Sequence, residues 1–321
     1  MAVTYQAQSG RVDVELAVAP ETSLNTYVTP SVQIPHAGVR WTRGHSMIEG
    51  RAATSTTQHS ISHRAIRGTD TPRVSFVCPF SDNSIATIFR MIFGGTLGGG
   101  TWAISDTLEG WSFGIVAGGS EYWKFAGGRM ESAQLAVPVG AQGEVSSSWI
   151  FHSLVDPKTA PTTFPTIVPV TDIAPWVLKD VEFKESASTT FSGSAIPIQG
   201  VNLNITRAAK AVHGSRSTEP QSIIRGSIDI TGSIDFAWSP DLQADFESFV
   251  AAEASAGYTL RYYQLRFTNG VEEQKLVLPV KYDWDEFVAP ASDDPVTTSI
   301  KFVAAGVGST PTTPVATVTD V

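Results

Sequence analysis

The chain has 321 residues, of which 42% are hydrophobic and only 17% are charged, and its formal net charge is −9. This length is enough for one large domain or two ordinary domains, each with its own core. The acidic balance and the lack of any run of Lys or Arg argue against a sequence-specific nucleic-acid-binding protein, which normally carries a basic patch.

The first segment, residues 1–29, is expected to form an N-terminal arm. Residues 1–18 lack the basic start and the continuous apolar stretch of a signal peptide, which argues against export by the secretory route. Val12, Val14 and Leu16 alternate as strand residues do, so part of the arm has the pattern needed to pair with a neighbouring strand. Along the whole sequence, no segment approaches the about 20 apolar residues of a membrane span.

Two regions of the chain repeat each other, which is the most informative feature of the sequence. Residues 34–41 (IPHAGVRW) match residues 196–203 (IPIQGVNL) in Ile, Pro, Gly and Val without a gap. Four further blocks match in the same order, namely 66–68 with 224–226, 74–78 with 234–238, 135–139 with 276–280, and 145–151 with 296–302. Five matching blocks in one order indicate a duplicated domain.

A short amphipathic helix is expected after the alternating strand of each half. The first opens at Ser81 and Asp82, which suit a helix N-terminus. Its apolar stripe consists of Ile85, Ile88, Phe89 and Ile92. The second, over residues 241–252, follows Ser239 and Pro240, and its stripe consists of Leu242, Phe246, Phe249 and Val250. The single cysteine, Cys78, lies in the apolar run before the first helix, so we expect a core position rather than a redox role.

Consecutive strands with one helix, and no alternation of strands and helices, favour antiparallel packing. The fold class is therefore expected to be mainly β, with two tandem β-sandwich domains that each carry one short flanking α-helix. The expected domains are an N-terminal arm at 1–29, a first copy at 30–155, a Pro-rich linker at 156–178, a second copy at 179–305 and a C-terminal arm at 306–321.

A search for catalytic or metal-binding motifs favours structural interpretations throughout. His59 and His63 stand four residues apart, but their surroundings do not favour a helix and no zincin glutamate follows, so we expect a solvated loop. The glycine-rich residues 94–100 lack the Lys-Ser or Lys-Thr of a phosphate-binding loop. Residues 110–114 (GWSFG) match a serine-hydrolase elbow, but the alternation that continues to Ile115 is typical of one strand.

Acidic and aromatic clusters are likewise assigned to structure. Asp283, Asp285 and Glu286 alternate with aromatic residues and are expected to face solvent. Aromatic residues that are able to stack on sugars or bases are expected to pack in the core. These are Trp102, Trp111, Tyr122 and Trp123.

The order of the blocks resembles the two-domain tail tube proteins of long-tailed bacteriophages. The residues that carry the resemblance are 196–207, then 224–236 with the helix at 241–252. In the first half, residues 122–132 (YWKFAGGRMES) resemble the strand–turn–strand of this family, with its centre of small residues. The resemblance extends over about residues 30 to 305.

The resemblance implies tail-tube-type β-sandwiches in trimeric, pseudo-hexameric rings that stack into a tube, with an inner β-barrel through which DNA passes. It implies no catalytic residue, no cofactor and no metal. It further implies that the long loops at 44–63 and 208–222 contact the next ring. The candidate contact residues in these loops are His45, Met47, Glu49, Arg51, His59, His63, Lys210, His213, Arg216 and Glu219.

The implied partners are further copies of the chain, a tape measure protein in the lumen, tail terminator and distal tail proteins, and DNA that passes without sequence-specific binding. The implied location is the virion tail, assembled in the host cytoplasm, with no membrane. Two alternatives remain open at this point. One is another virion component, such as a head–tail joining or tail adaptor protein. The other is an extracellular β-sandwich that binds or acts on glycans.

Overall fold

The structure is a computed structural model that describes residues 14–23, 25–52, 61–94, 100–104, 109–117, 121–155, 176–215, 217–224, 226–237, 260–268, 273–283, 287–288, 297–305 and 317–320. Over these residues the chain is mainly β, and antiparallel pairing dominates. The expected mainly β class is confirmed.

The first half contains eleven strands and one helix within its described residues. They are β1 (Val14–Pro20), β2 (Val32–Ile34), β3 (Gly38–Thr42), β4 (His45–Ala52), β5 (Ile61–Asp70), β6 (Arg73–Pro79), α1 (Asp82–Phe93), β7 (Gly100–Ala103), β8 (Trp111–Ala117), β9 (Glu121–Pro138), β10 (Glu144–Ile150) and β11 (Ser153–Val155).

The second half opens with a 3₁₀ turn at Leu178–Asp180 and contains ten strands in the part that the structure describes. They are β12 (Val181–Ser186), β13 (Gly200–Thr206), β14 (Lys210–His213), β15 (Pro220–Ile224), β16 (Asp229–Ala237), β17 (Arg261–Thr268), β18 (Glu273–Asp283), β19 (Phe287–Val288), β20 (Thr297–Ala304) and β21 (Thr317–Asp320).

The long strand β9 belongs to both layers of the first half. Its early residues pair with β8, and its later residues pair with β10. The strand changes layer at Gly127, which has φ 71°. The inner layer is β3-β6-β10-β9, and the outer layer is β2-β1-β8-β9-β11. The two layers enclose an aromatic core, in which the Phe113 ring lies 5.1 Å from Trp149 and 4.9 Å from Phe151.

The same order of pairings occurs in the second half. The first half runs β1–β8, β8–β9, β9–β10, β10–β6 and β6–β3. The second runs β12–β17, β17–β18, β18–β20, β20–β16 and β16–β13. The core has a counterpart as well, since the Tyr263 ring lies 5.2 Å from Phe302 and 5.0 Å from Phe183.

The two halves share one continuous inner sheet. Strand β9 pairs on its far side with β13, from Pro138 opposite Gly200 to Ser132 opposite Thr206. The inner sheet therefore runs β3-β6-β10-β9-β13-β16-β20 without interruption. The last strand, β21, lies between β18 of the second half and β7 of the first, which ties the halves together at a second place.

Helix α1 packs at this boundary. It begins after Ser81, as expected, and its four expected apolar residues are buried. The Phe89 ring lies 5.7 Å from Phe267 of β17, so the helix of the first half contacts the outer layer of the second. Trp176, at the end of the expected linker, is buried and stacks on Phe80.

Several expectations about irregular segments differ from the structure. The long loops expected at 44–63 and 208–222 contain the two-stranded hairpins β4–β5 and β14–β15. Part of the expected N-terminal arm is the core strand β1, in which Leu16 and Val18 are fully buried. Part of the expected C-terminal arm is β21. The hairpin strands pair locally with each other, whereas β1 and β21 pair with strands that are distant in sequence.

One of the five matched blocks is not equivalent in the structure. Residues 135–138 lie in the late part of β9, opposite β10 and β13. Residues 276–280 lie in the early part of β18, opposite β17. The expected second helix at 241–252, and most of the expected linker, lie outside the described residues.

The bend of β9 generates the first prediction. A Cβ at Gly127 would overlap the Cβ of His152. We expect Gly127→Ala to lower the free energy of unfolding by about 3 kcal/mol, because the left-handed backbone costs roughly 1–2 kcal/mol and overpacking adds a similar amount.

Gly140→Ala is the matched control, since Gly140 has φ 73° and no atom lies within 4 Å of its added Cβ. It should lose only the conformational part, about 1–2 kcal/mol. Urea unfolding of both variants provides the comparison. Equal losses would show that the space around Gly127 does not matter for the bend.

Candidate functional site

The outward face of the continuous inner sheet is concave. A groove crosses five strands of the first half and of the junction, namely β3, β6, β10, β9 and β13. A second groove continues along β13, β16, β20 and β18. Successive residues of a strand point to opposite faces, so each strand that buries one set of side chains in the core presents the other set to this face.

The residues of this concave face are mostly uncharged and polar. Its hydroxyl and amide residues are Ser75, Ser132, Gln134, Ser146, Ser148, Asn202, Asn204, Thr206, Thr231, Ser233 and Ser299. Its charged residues are of both signs, namely Arg40, Arg73, Lys281 and Lys301 against Glu144, Asp229 and Asp235. Gln134 Nε2 donates a hydrogen bond to Asn202 Oδ1 (3.2 Å) across the junction of the halves. The face therefore carries no strong field of one sign.

The two hairpins stand apart from the large sheet and touch each other at the base of the first. The Asp70 amide donates a hydrogen bond to the Thr218 carbonyl (2.7 Å). A second hydrogen bond joins Thr71 Oγ1 and His213 Nε2 (3.2 Å). Because Thr218 and His213 belong to the second half, the hairpins form one shared projection.

Most of the candidate contact residues lie on this projection. His45, Met47, Glu49 and Arg51 are in β4, and His63 is in β5. Lys210 and His213 are in β14, and the exposed Glu219 precedes β15. His59 and Arg216 lie outside the described residues. Their expected role in contacts between rings stays a prediction.

The motifs that resemble catalytic elements are parts of the core. Ser112 of the serine-hydrolase pattern lies in β8, is fully buried, and donates a hydrogen bond to Glu21 Oε1 (3.0 Å). The strand interpretation of residues 111–115 is confirmed. Cys78 is buried as expected, and burial raises the pKa of its thiol to about 12. Trp111 and Tyr122 are buried as expected.

Across the described part of the chain, no three His, Cys, Asp or Glu side chains come together in a way that would hold a metal ion. Within the same part, no helix combines the length and the apolar character needed to cross a membrane.

Sequence reasoning did not identify the concave face. The signal was present, because Ser146 and Ser148 alternate with the buried Val145 and Trp149 in one strand. Two successive outward serines are unusual for a plain solvent-facing strand, in which charged residues are common. The sequence alone does not give the order of strands, and it is this order that places these residues side by side.

Comparison with known proteins places the chain beside one family. The sequence model of a family described as phage tail tube protein matches residues 12–277. No curated protein matches the chain.

The contact between the hairpins generates the second prediction. His213→Ala removes the hydrogen bond to Thr71, so we expect the free energy of unfolding to fall by about 1 kcal/mol. We also expect the Asp70 amide to exchange its hydrogen faster, because the second hairpin is held less firmly against β5. Hydrogen-exchange mass spectrometry checks this. Lys210→Ala, at an exposed position of the same strand, is the control, and unchanged exchange in His213→Ala would contradict the prediction.

Proposed function

Because the chain belongs to the phage tail tube protein family, we propose that three copies close into a ring of six β-sandwich domains, and that such rings stack into a tube for the delivery of DNA. The chain is then a structural subunit of the virion tail. The repeated pairing order supports the proposal that its halves are copies of one domain. Three copies of a two-domain chain give a pseudo-sixfold ring.

The junction within the chain supports this proposal, because it serves as a template for the junction between chains. Strand β13 lies against β9 of the first half, and its inward residues Val201 and Leu203 are buried, with 3% and 0% of their surface exposed. Strand β3 is the counterpart of β13. Its inward residues Val39 and Trp41 are only half-buried. A neighbouring copy beside β3 would cover them.

The other edge of the chain offers the matching surface. Strand β19 pairs with β20 as the late part of β9 pairs with β10: Val288 lies opposite Thr297, and Gln134 lies opposite Ser146. Within the described residues, β3 pairs only with β6, and β19 pairs only with β20. Antiparallel edges with free backbone groups favour pairing with another chain, and closing a ring removes such edges.

The position of the closing pair follows from the template. The pairings around β10 and β20 make Val288 the counterpart of Gln134 and Ser233 the counterpart of Arg73. Thr42 lies opposite Arg73, and Asn202 lies opposite Ser233, so Thr42 corresponds to Asn202. Asn202 lies opposite Ala136, two residues beyond Gln134. Thr42 of one copy is therefore placed diagonally across the closing pair from Val288 of the next.

In a closed ring, the concave face lines the channel. A lining of Ser, Thr, Asn and Gln has few fixed cations with which to hold phosphates, and phosphate neutralisation supplies most non-specific affinity for DNA. The mixed charges of the face suit a duplex that slides through without binding. The further partners belong to the same proposal, namely a tape measure protein in the lumen before DNA, tail terminator and distal tail proteins at the ends, and the hairpins of adjacent rings. Assembly is assigned to the host cytoplasm.

The third prediction tests ring closure. In a Cys78→Ser background, Thr42→Cys with Val288→Cys should be joined between chains by a short bismaleimide crosslinker. Diagonal neighbours of an antiparallel pair lie roughly 7–8 Å apart, which is beyond most disulfides but within the reach of such a reagent. Non-reducing electrophoresis should show covalent trimers as the largest abundant species.

Thr42→Cys with Lys184→Cys is the control for this experiment. Lys184 is in β12, away from both edges, so this pair should remain monomeric. Monomers from both cysteine pairs would contradict the ring. Trimers that never stack into tubes under electron microscopy would favour the adaptor alternative instead.

The fourth prediction tests the lining. Ser75→Lys, Ser146→Lys and Asn204→Lys together should give tubes that bind short duplex DNA, with an affinity that falls steeply as salt rises. Filter binding at several salt concentrations measures this, and wild-type tubes should retain no DNA. Ser188→Lys, Thr190→Lys and Ser194→Lys add the same charge at exposed positions outside the face. Equal binding by both sets would contradict the assignment of the channel.

A further inference from the structure

One arginine of the second half is buried at the boundary between the halves. Arg207 follows the last residue of β13, and 1% of its surface is exposed. Its amide donates to the Glu131 carbonyl (2.9 Å) and its Nη2 donates to the Ile92 carbonyl (3.4 Å). Ile92 is in the last turn of α1, where the helix dipole is negative and favours a cation.

Arg43 follows the end of the corresponding strand, β3, in the first half. Each arginine follows a threonine that ends its strand, and each precedes a residue with positive φ, Gly44 at 63° and Ala208 at 41°. In both halves the chain then enters a hairpin. Thr42 is the counterpart of Asn202 in the pairing, whereas β13 ends at Thr206, so Arg207 lies four residues further along its strand than Arg43. Four is an even number, so both arginines leave their strands toward the same face.

The surroundings of the two arginines differ sharply. The Arg43 side chain is 50% exposed, and its Nε lies 3.7 Å from Asp70 Oδ2 in a long ion pair. Arg207 is buried because the first half stands beside β13. Among the strands that the structure describes, β3 has a neighbour, β6, on one side only. The exposed state of Arg43 thus has the same origin as the half-buried state of Val39 and Trp41.

We propose that Arg43 is the interface arginine of the ring, which enters the second half of a neighbouring copy as Arg207 enters the first half of its own chain. This inference rests on the ring described under the proposed function. The planar guanidinium suits the role, because its five donors can satisfy several backbone carbonyls at once while the ring buries its charge. The occupant of the β3 edge is a second copy of this chain.

The test compares assembly with folding. Arg43→Ala should need at least about tenfold more protein than wild type to form rings and tubes, as expected for a buried arginine at an interface. Its thermal unfolding as a monomer should shift only modestly, because the side chain is 50% exposed and its ion pair with the buried Asp70 is long, at 3.7 Å. Sedimentation velocity and negative-stain microscopy across a concentration series measure the assembly.

Two further variants keep the inference falsifiable. Arg43→Lys keeps a positive charge near Asp70 but lacks the planar fork, and it should also assemble less readily than wild type; it decides the question if Arg43→Ala does not fold. Arg266→Ala is the matched control, since Arg266 is 34% exposed, pairs with Glu182 and Glu273, and lies on β17 between two strands. It should assemble as wild type does.

The outcomes separate the two levels of inference. Wild type that forms tubes, together with folded Arg43→Ala and Arg43→Lys that form them at the same concentration, would overturn the role of Arg43 and leave the ring intact. Wild type that forms no ring at any concentration would overturn the ring, and the interface arginine with it.

Discussion

The structure depends on the pairing between β9 and β13, because every backbone group at a strand edge needs a hydrogen-bond partner. This pairing joins the inner layers of the two halves into one sheet of seven strands, from β3 to β20. It also fixes which face of each strand points to the core and which points to the concave side, since a shift of one residue would exchange the two faces. The position of this junction determines where Arg207 is buried and where α1 packs. It also determines where the aromatic clusters lie.

The same requirement explains why the inward residues are less buried at one end of the sheet than in its middle. Where a domain stands on both sides of a strand, its inward residues are fully buried, as in β13. Where the sheet ends at β3, equivalent residues keep contact with solvent. Within the described residues, β13 is paired on both sides and β3 on one side only, so the molecule contains both situations at once.

Sequence reasoning identified the regular elements that local pattern determines. Alternation over residues 74–78 and 111–115 predicted β6 and β8, and the stripe ending at Ile92 predicted α1. It missed elements whose local pattern is weak. The loops expected at 44–63 and 208–222 contain β4, the start of β5 and β14, which pair within their own hairpins outside the main sheet.

The repeat also shows that a match in sequence does not always mark equivalent positions in the structure. The blocks that start β3 and β13 match in sequence and pair with equivalent strands, but their registers differ by two residues. Gly38 lies opposite Val77, the counterpart of Ala237, whereas Gly200 lies opposite Asp235. The match between residues 135–139 and 276–280 rests only on an apolar alternation that ends in Pro and Val, which many strands share. For the candidate site, the resemblance gave the regions of the hairpins as loops, but the polar face emerged only when seven strands were placed in order.

The concave face also shows that the forces holding the sheet together are independent of the residues on this face. The sheet is held by backbone hydrogen bonds and by the side chains on its core face, so the residues of the concave face contribute little to holding it together. They are therefore free to be small, polar and nearly neutral. A helical channel would need its inward side chains for packing between helices, whereas a paired sheet does not. The β architecture thus leaves this face free to interact weakly with a polyanion, while the buried aromatic residues lie on the other face of the sheet and the hairpins lie outside it.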